Sequence, residues 1–320
     1  MFNGKNILIT GGTGSFGREF CQHVLSQYDP NRLIVLSRDE LKQFEMKQQF
    51  PNEKLRFFIG DVRDKDRLER AMKGVDYVVH AAALKQVPAC EYNPIEAIKT
   101  NIYGAQNVID AAINQGVSKV IALSTDKAVN PINLYGATKL CAEKLFVQAN
   151  SYSGSNGTRF GCVRYGNVVG SRGSVIPLFK KQKETGTLTV TDERMTRFWL
   201  TLDQGVEFVL NSLEDLQGGE VFIPKIPSMK VIDLAKAISP ECDIEIIGIR
   251  PGEKLNEVLI SRDESSSVVD IGSKYVIQPQ HSSFRMPVYS AATSVVKDFE
   301  YRSDNNSEWV DTNQLEDMIK

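Results

Sequence analysis

A glycine-rich turn close to the N-terminus does most to limit what this chain can fold into. The apolar, β-branched run Asn6–Thr10 leads straight into Gly11-Gly-Thr-Gly-Ser-Phe-Gly17, and helix-like sequence follows. The turn satisfies Gly-x-Gly-x-x-Gly at Gly12, Gly14 and Gly17, and Gly-x-x-Gly-x-x-Gly counted from Gly11. Glycines let the backbone turn sharply and approach a pyrophosphate, whose charge then rests on the N-terminus of the next helix. A purely structural turn can carry the same spacing. Its place between a strand and a helix argues for a dinucleotide site.

The rest of the N-terminal half keeps the rhythm that such a site needs. Asn6–Thr10, Arg32–Leu36, Leu55–Ile59, Tyr77–His80, Lys119–Leu123 and Arg159–Arg164 read as strands, with segments between them long enough for crossover helices. This predicts an α/β protein with a parallel, doubly wound sheet, the Rossmann arrangement. From about Gly166 the rhythm breaks. Thr187–Thr191 reads as a short strand, Thr201–Leu213 and Lys230–Ile238 as helices, and Arg250-Pro-Gly-Glu-Lys254 as a turn. The expected division is a cofactor-binding unit of residues 1–165 and 197–226 and a smaller α+β unit of residues 166–196 and 227–320.

Composition excludes several classes of function. With 38 Lys and Arg against 40 Asp and Glu, the net charge of −2 argues against a broad basic face for nucleic acid, and no polybasic run suggests a membrane patch. No run approaches the ~18 apolar residues of a membrane span, and the first strand leaves no room for a signal peptide. Five scattered cysteines without a CxxC pair indicate neither a disulfide framework nor a zinc site, and no metal cluster is visible. The expectation is a cytoplasmic protein with buried thiols.

Cofactor choice turns on the end of the second strand, Leu36-Ser37-Arg38-Asp39-Glu40. A site for NAD usually places an acid there against the ribose 2′-hydroxyl. Here Arg38, with Lys42 one helical turn on, suits the 2′-phosphate of NADP. The other reading is a solvated charge cluster in which Asp39 takes the ribose. Gly11, Thr13, Gly14, Ser15, Phe16 and Gly17 form the expected phosphate turn, and Ser37, Arg38 and Lys42 the ribose end. Asp61, Val62 and Ala81, at the ends of the third and fourth strands, fall where the adenosine would pass.

Tyr135-Gly-Ala-Thr-Lys139 fits Tyr-x-x-x-Lys, which on a helix puts both side chains on one face, where the ammonium can lower the phenol's pKa. The pattern is weak by itself, but it opens the helix after the fifth strand, which ends in Ser124-Thr-Asp-Lys127. The carboxyl ends of parallel strands are where such sheets do chemistry. His80, among apolar residues at a strand end, is expected to be packed rather than a base, and His23 and His281 show no partner pattern.

These motifs, together with Phe58-Ile-Gly-Asp-Val-Arg-Asp64, His80-Ala-Ala-Ala-Leu-Lys85, Arg164-Tyr-Gly-Asn167, Gly170-Ser-Arg-Gly-Ser-Val175, Met195-Thr-Arg-Phe198 and Ile249-Arg-Pro-Gly-Glu-Lys254, carry a resemblance that runs nearly end to end. The chain resembles the extended short-chain dehydrogenases/reductases, and among them the inverting UDP-N-acetylglucosamine 4,6-dehydratases that begin pseudaminic acid synthesis. The resemblance implies catalytic roles for Thr125, Asp126, Lys127, Tyr135 and Lys139. Lys127 would be the C5 base, its pKa depressed by burial and neighbouring cations, and Asp126 the acid for the C6 hydroxyl. It adds Lys85, Tyr135, Lys139 and Val168 to the cofactor's neighbours. Lys85, Thr125 and Asn167 would contact the sugar or its phosphates, and Arg172, Gly173, Ser174, Val175 and Ile176 would form a loop against the nucleotide. Arg197 and Arg250 would take the pyrophosphate and Glu253 the uridine ribose. A homo-oligomer, up to a hexamer, is implied as well, while flagellin, capsule and lipopolysaccharide stay open as destinations of the product. The rivals are a UDP-hexose 4-epimerase, which has no use for Asp126-Lys127, and a non-catalytic NADP sensor.

Overall fold

A computed structural model describes residues 1–154, 157–170, 175–280, 287–290, 292–311 and 314–315. The N-terminal half alternates strands and helices as β1 Asn6–Thr10, α1 Ser15–Gln27, β2 Arg32–Ser37, α2 Glu40–Gln49, β3 Leu55–Ile59, α3 Lys65–Ala71 and β4 Tyr77–His80. Helices α4 Val87–Tyr92 and α5 Pro94–Ile98 follow, and a π-helical turn, Lys99–Tyr103, runs into α6 Gly104–Gln115. Next come β5 Lys119–Leu123, α7 Leu134–Ala149 and β6 Arg159–Val163. Local chemistry sets several boundaries. Asp39, Asp64 and Asn133 cap α2, α3 and α7 by accepting from backbone N–H groups, each cap worth about 1 kcal/mol. Gly116, with φ +67°, ends α6 in the left-handed conformation that a side chain would resist.

The second half contributes β7 Asn167–Val168, α8 Val175–Gln182, β8 Thr187–Val190, β9 Thr196–Leu200, α9 Leu202–Asp215, β10 Val221–Pro224, β11 Ser228–Lys230, α10 Val231–Ile238 and β12 Asp243–Ile246. It ends with β13 Val258–Ile260, β14 Val268–Asp270, β15 Lys274–Ile277, β16 Thr293–Ser294 and β17 Tyr301–Arg302. Thr201 and Gln204 close a capping box at the start of α9.

Among the described residues the main sheet runs β16-β14-β15-β10-β6-β5-β4-β1-β2-β3. Strands β3 through β10 in that order are parallel, and β15 returns antiparallel against β10. Helices on both faces explain why β1 and β2 are continuously apolar: Ile7, Leu8, Ile9, Leu33 and Val35 have no exposed surface. Strands β14 to β16, expected in the smaller unit, extend this sheet instead, because Val268, Val276 and Ile277 pack into its core. A second core gathers Val169, Ile176, Phe179, Leu188, Met195, Trp199 and Leu234 around α8, α10 and the short strands. Cys21, Cys90 and Cys162 are buried as expected, but Cys141 is exposed. No described helix is long and apolar enough to cross a membrane, and no described group of residues could hold a metal.

Candidate active site

The glycine turn is fixed by space as well as by conformation. Gly11 has φ +67°, and a Cβ there would lie 2.9 Å from the backbone of Ala82. A Cβ on Gly17 would lie 2.4 Å from Gly12, so β1 and α1 meet only through glycine. Gly14 caps α1 without a side chain, and the first turn carries no acid to compete with an anion at the helix's positive end. Thr13 and Ser37 share a buried 2.8 Å hydrogen bond that ties this turn to the end of β2.

Beyond Ser37, Arg38 is half exposed and lies 3.6 Å from Asp61. Burial works to raise the Asp61 carboxyl, but hydrogen bonds from Arg63 outweigh it and hold it low. Asp39 is occupied: one oxygen caps α2 at the Lys42 amide, and the other meets the Lys42 ammonium at 2.6 Å. At the ribose end Arg38 thus stands half exposed beside Asp61, while Asp39 and Lys42 are engaged with each other. Val62 is buried against α6, where Gly104 has no Cβ to collide with it. Ala81 continues β4 with its amide on Thr10, and Val168 packs beside the first core. Together the bare glycines, the helix start and Arg38 fit a dinucleotide.

The catalytic cluster grows out of the end of β5. Thr125 caps a short 3₁₀ turn, Asp126–Ala128, and its hydroxyl donates to Asp126 Oδ1 at 2.8 Å. Lys127 Nζ reaches the same Oδ1 at 3.0 Å. Asp126 is fully buried, and its other oxygen, Oδ2, has no partner among the described residues. Burial raises the Asp126 carboxyl above the usual range and the charge of Glu257 adds to this, against the pull of Lys127. Burial thus favours the protonated form of Asp126 more than that of an ordinary carboxyl.

Tyr135 sits over this turn because α7 begins almost in contact with it. A Cβ on Gly136 would lie 2.1 Å from the carbonyl oxygen of Lys127, so glycine after the tyrosine allows the approach. Burial pushes the Tyr135 phenol up to about 12, while the Lys127 ammonium and a hydrogen bond with Thr125 pull it down. The expected partner Lys139 is buried one turn on and lowered by that burial, yet the lysine with the greater pull on the phenol is Lys127. His80 bonds Thr10 at 2.8 Å and is driven to about 3 by burial, with Lys139 adding to the effect. It is a neutral, packed histidine, as expected. His23, expected to be unpartnered, faces Asp203 at 3.1 Å.

Three expectations are corrected here. Lys127 was to be depressed toward neutrality, and burial does act that way, but Asp126 and Glu257 outweigh it and hold the ammonium above the ordinary lysine range. Arg197 was to bind a pyrophosphate, but its donors are spent on the carbonyls of Thr196, Lys254 and Leu255 and on the Met195 sulfur. Val175 and Ile176, expected in a loop against the nucleotide, instead open α8, Ile176 lying in the second core with Val175 against it. Arg172, Gly173 and Ser174 lie outside the described residues, as does His281. Asn167 pairs with Trp199 in β7.

Arg250 remains exposed, 3.8 Å from Glu253. Its turn docks on the start of α7 through Asn133, whose amide donates to the Gly252 carbonyl at 2.8 Å. Lys85 is lowered first by burial and then by the nearby Lys127, which places two cations at one site. Lys254 donates to the Val129 carbonyl beside the same cluster. The sequence reading missed Glu257 altogether. Its carboxylate lies 3.3 Å from Lys127 and 3.6 Å from Arg197, and nothing in the local sequence around residue 257 announces a partner 130 positions away.

Fold and site together define an α/β protein of the extended short-chain dehydrogenase/reductase type. The chain belongs to the polysaccharide biosynthesis protein family, which it matches over residues 7–279. It is 57% identical to a UDP-N-acetylglucosamine 4,6-dehydratase (inverting) of Campylobacter jejuni subsp. jejuni, over 100% of this chain and 98% of that one. A UDP-glucose 4-epimerase of Rickettsia felis is 48% identical over 87% of this chain and 84% of its own length. The X-ray structure of Pen from Bacillus thuringiensis superposes with a TM-score of 0.91 at 43% identity, covering 100% of this chain and 98% of that one.

Proposed function

We propose that the chain is an inverting UDP-N-acetylglucosamine 4,6-dehydratase, a carbon–oxygen lyase that works in the cytoplasm as a homo-oligomer. Its product would be UDP-2-acetamido-2,6-dideoxy-β-L-arabino-hexos-4-ulose, the first intermediate toward pseudaminic acid. The observation that carries this reading is Asp126: a fully buried carboxyl beside Lys127 and Tyr135, with one oxygen unpartnered among the described residues and burial acting to raise it. Expelling water needs such an acid, and exchanging the configuration of C4 does not. NADP, when bound, supplies the acceptor for the C4 hydride and the donor that returns it to C6. Gly11 to Gly17 would hold its pyrophosphate and Arg38 its 2′-phosphate, and the sheet with α1 to α7 forms the cofactor-binding part, the second core the nucleotide-sugar part.

The chain's own groups do the proton work. Tyr135, in its phenolate form, takes the C4 hydroxyl proton, with Thr125 beside it. The ketone formed at C4 acidifies C5, whose proton goes to Lys127 in its amine form, and Asp126, protonated, gives its proton to the departing C6 hydroxyl. Lys85 and Arg250 supply cations for the diphosphate. Incubation with UDP-N-acetylglucosamine in deuterated water, followed by proton NMR, tests the reading. A 6-deoxy methyl signal next to a deuterated C5 is expected. A C4 epimer would mean an epimerase, and unchanged substrate would mean a sensor.

A further inference from the structure

The chemistry described above makes no use of Arg164, yet this arginine has no exposed surface. The sheet fixes its place: it follows β6, and its amide donates to the Phe222 carbonyl of β10 at 2.8 Å. Its guanidinium meets two carboxylates. Glu143 on α7 accepts from Nε at 3.2 Å and from Nη2 at 2.5 Å, and Glu264, in the turn after β13, accepts from Nη1 at 3.1 Å and from Nη2 at 2.9 Å. Nη1 also donates to the Leu259 carbonyl of β13 at 2.9 Å. Glu143 has a further donor, the Ser124 hydroxyl at 2.7 Å. Ser124 directly precedes Thr125, Asp126 and Lys127, and its amide donates to the Val163 carbonyl of β6. Glu143 lies four residues after Lys139 and eight after Tyr135, on the same face of α7.

One guanidinium between two carboxylates in the interior is a poor device for stability. Taking such charges out of water is costly, and apolar side chains of similar volume in their place are often neutral or stabilising. The cluster does supply a fixed relation between elements. Arg164 stands on the sheet, Glu143 brings α7 to it, and Ser124 brings the catalytic turn to Glu143. Glu264 brings the segment that runs on from the Arg250 turn past Glu257, which lies beside Lys127. We propose that Arg164 and Glu143 are positioning residues, which set α7 against the end of β5 so that Tyr135 stands over the Thr125–Lys127 turn. Both act through Tyr135, and the inference deepens the dehydratase reading and rests on it for its kinetic part.

The paired variant Arg164→Met with Glu143→Leu replaces the inner ion pair by apolar side chains and should melt close to the unaltered protein. C4 oxidation, read as reduced-nicotinamide absorbance in a single turnover with UDP-N-acetylglucosamine and NADP, should nevertheless slow by roughly 10–10²-fold, while KM and NADP binding stay within about twofold. Glu143→Gln, which keeps the shape and an acceptor for Ser124, should retain part of the lost rate. Ser124→Ala removes one hydroxyl, should slow the same step to a smaller degree, and carries the kinetic test if the paired variant does not fold. In a crystal structure of the paired variant the start of α7 should lie about 1 Å from its place over the Lys127 carbonyl. Oxidation at the wild-type rate in Ser124→Ala or in a folded paired variant, or an α7 that has not moved, would overturn the proposal. So would activity that falls only in step with melting and returns on cooling. An unaltered protein that reduces no nicotinamide with this substrate would overturn the dehydratase reading, and the displacement of α7 would then decide the positioning by itself.

Discussion

At the scale of single residues, side chains near the site are either committed to the protein or held ready for a ligand. Arg197 and Arg38 show the contrast. Arg197 is enclosed by carbonyl oxygens, whereas Arg38 stands half exposed with only a 3.6 Å ion pair to Asp61. The sequence showed two arginines in suggestive motifs and gave no way to distinguish them, since half of what fills the Arg197 fork comes from residues 254 and 255, nearly 60 positions on. Glu257 was illegible for the same reason. Thr125, Asp126, Lys127 and Tyr135 were legible because the strand end and the helix start that carry them are close in sequence. The exposure of Arg38 leads to a prediction: Arg38→Ala should weaken NADP binding by on the order of 1.5–3 kcal/mol more than NAD binding, because a charge-assisted contact to the 2′-phosphate has no counterpart in NAD. Titration of both dinucleotides checks it, and equal losses would leave Arg38 as scaffold.

Among the elements, α7 and the turn after β5 carry the geometry. The first six strands of the parallel sheet were readable from their apolar runs and differ from expectation by a residue at most, β6 ending at Val163 and β2 at Ser37, whereas β10, parallel to β6, was not expected. The π-helical turn before α6 has no local sequence signal, and the late strands β14 to β16 join the main sheet through long-range pairing that periodicity does not show. Contact between α7 and the Lys127 carbonyl depends on Gly136. Gly136→Ala places a methyl where 2.1 Å is available, so α7 must move away from Lys127. The expected cost is about 1–3 kcal/mol of stability. A loss of about 10²-fold in kcat with little change in KM should accompany it, since the phenol and the Asp126 cluster no longer align. Thermal melting with steady-state kinetics would show this, and a wild-type kcat would contradict it.

Over the whole molecule, the buried polar groups behind the site tie stability to pH. His80 is neutral when folded, with its pKa near 3, whereas in the unfolded chain it takes a proton near 6.5. Between those values the unfolded state binds more protons, so this contribution is complete above pH 6.5 and lost as pH falls toward 3. By pH 5 the loss is about 2 kcal/mol. Urea unfolding at pH 7 and pH 5 should therefore show a smaller drop for His80→Gln than for the unaltered protein, and identical drops would place the acid sensitivity elsewhere. The architecture as a whole sets a glycine-rich turn, the buried Asp126 and a phenol at the carboxyl end of one parallel sheet, and it is as a unit that they would move a hydride from C4 to C6. The most direct measurement is the fate of that hydrogen. UDP-N-acetylglucosamine deuterated at C4 should give a product with deuterium in the C6 methyl group and NADP unchanged after each turnover. A methyl group free of deuterium, or a stoichiometric demand for NADP, would contradict the account.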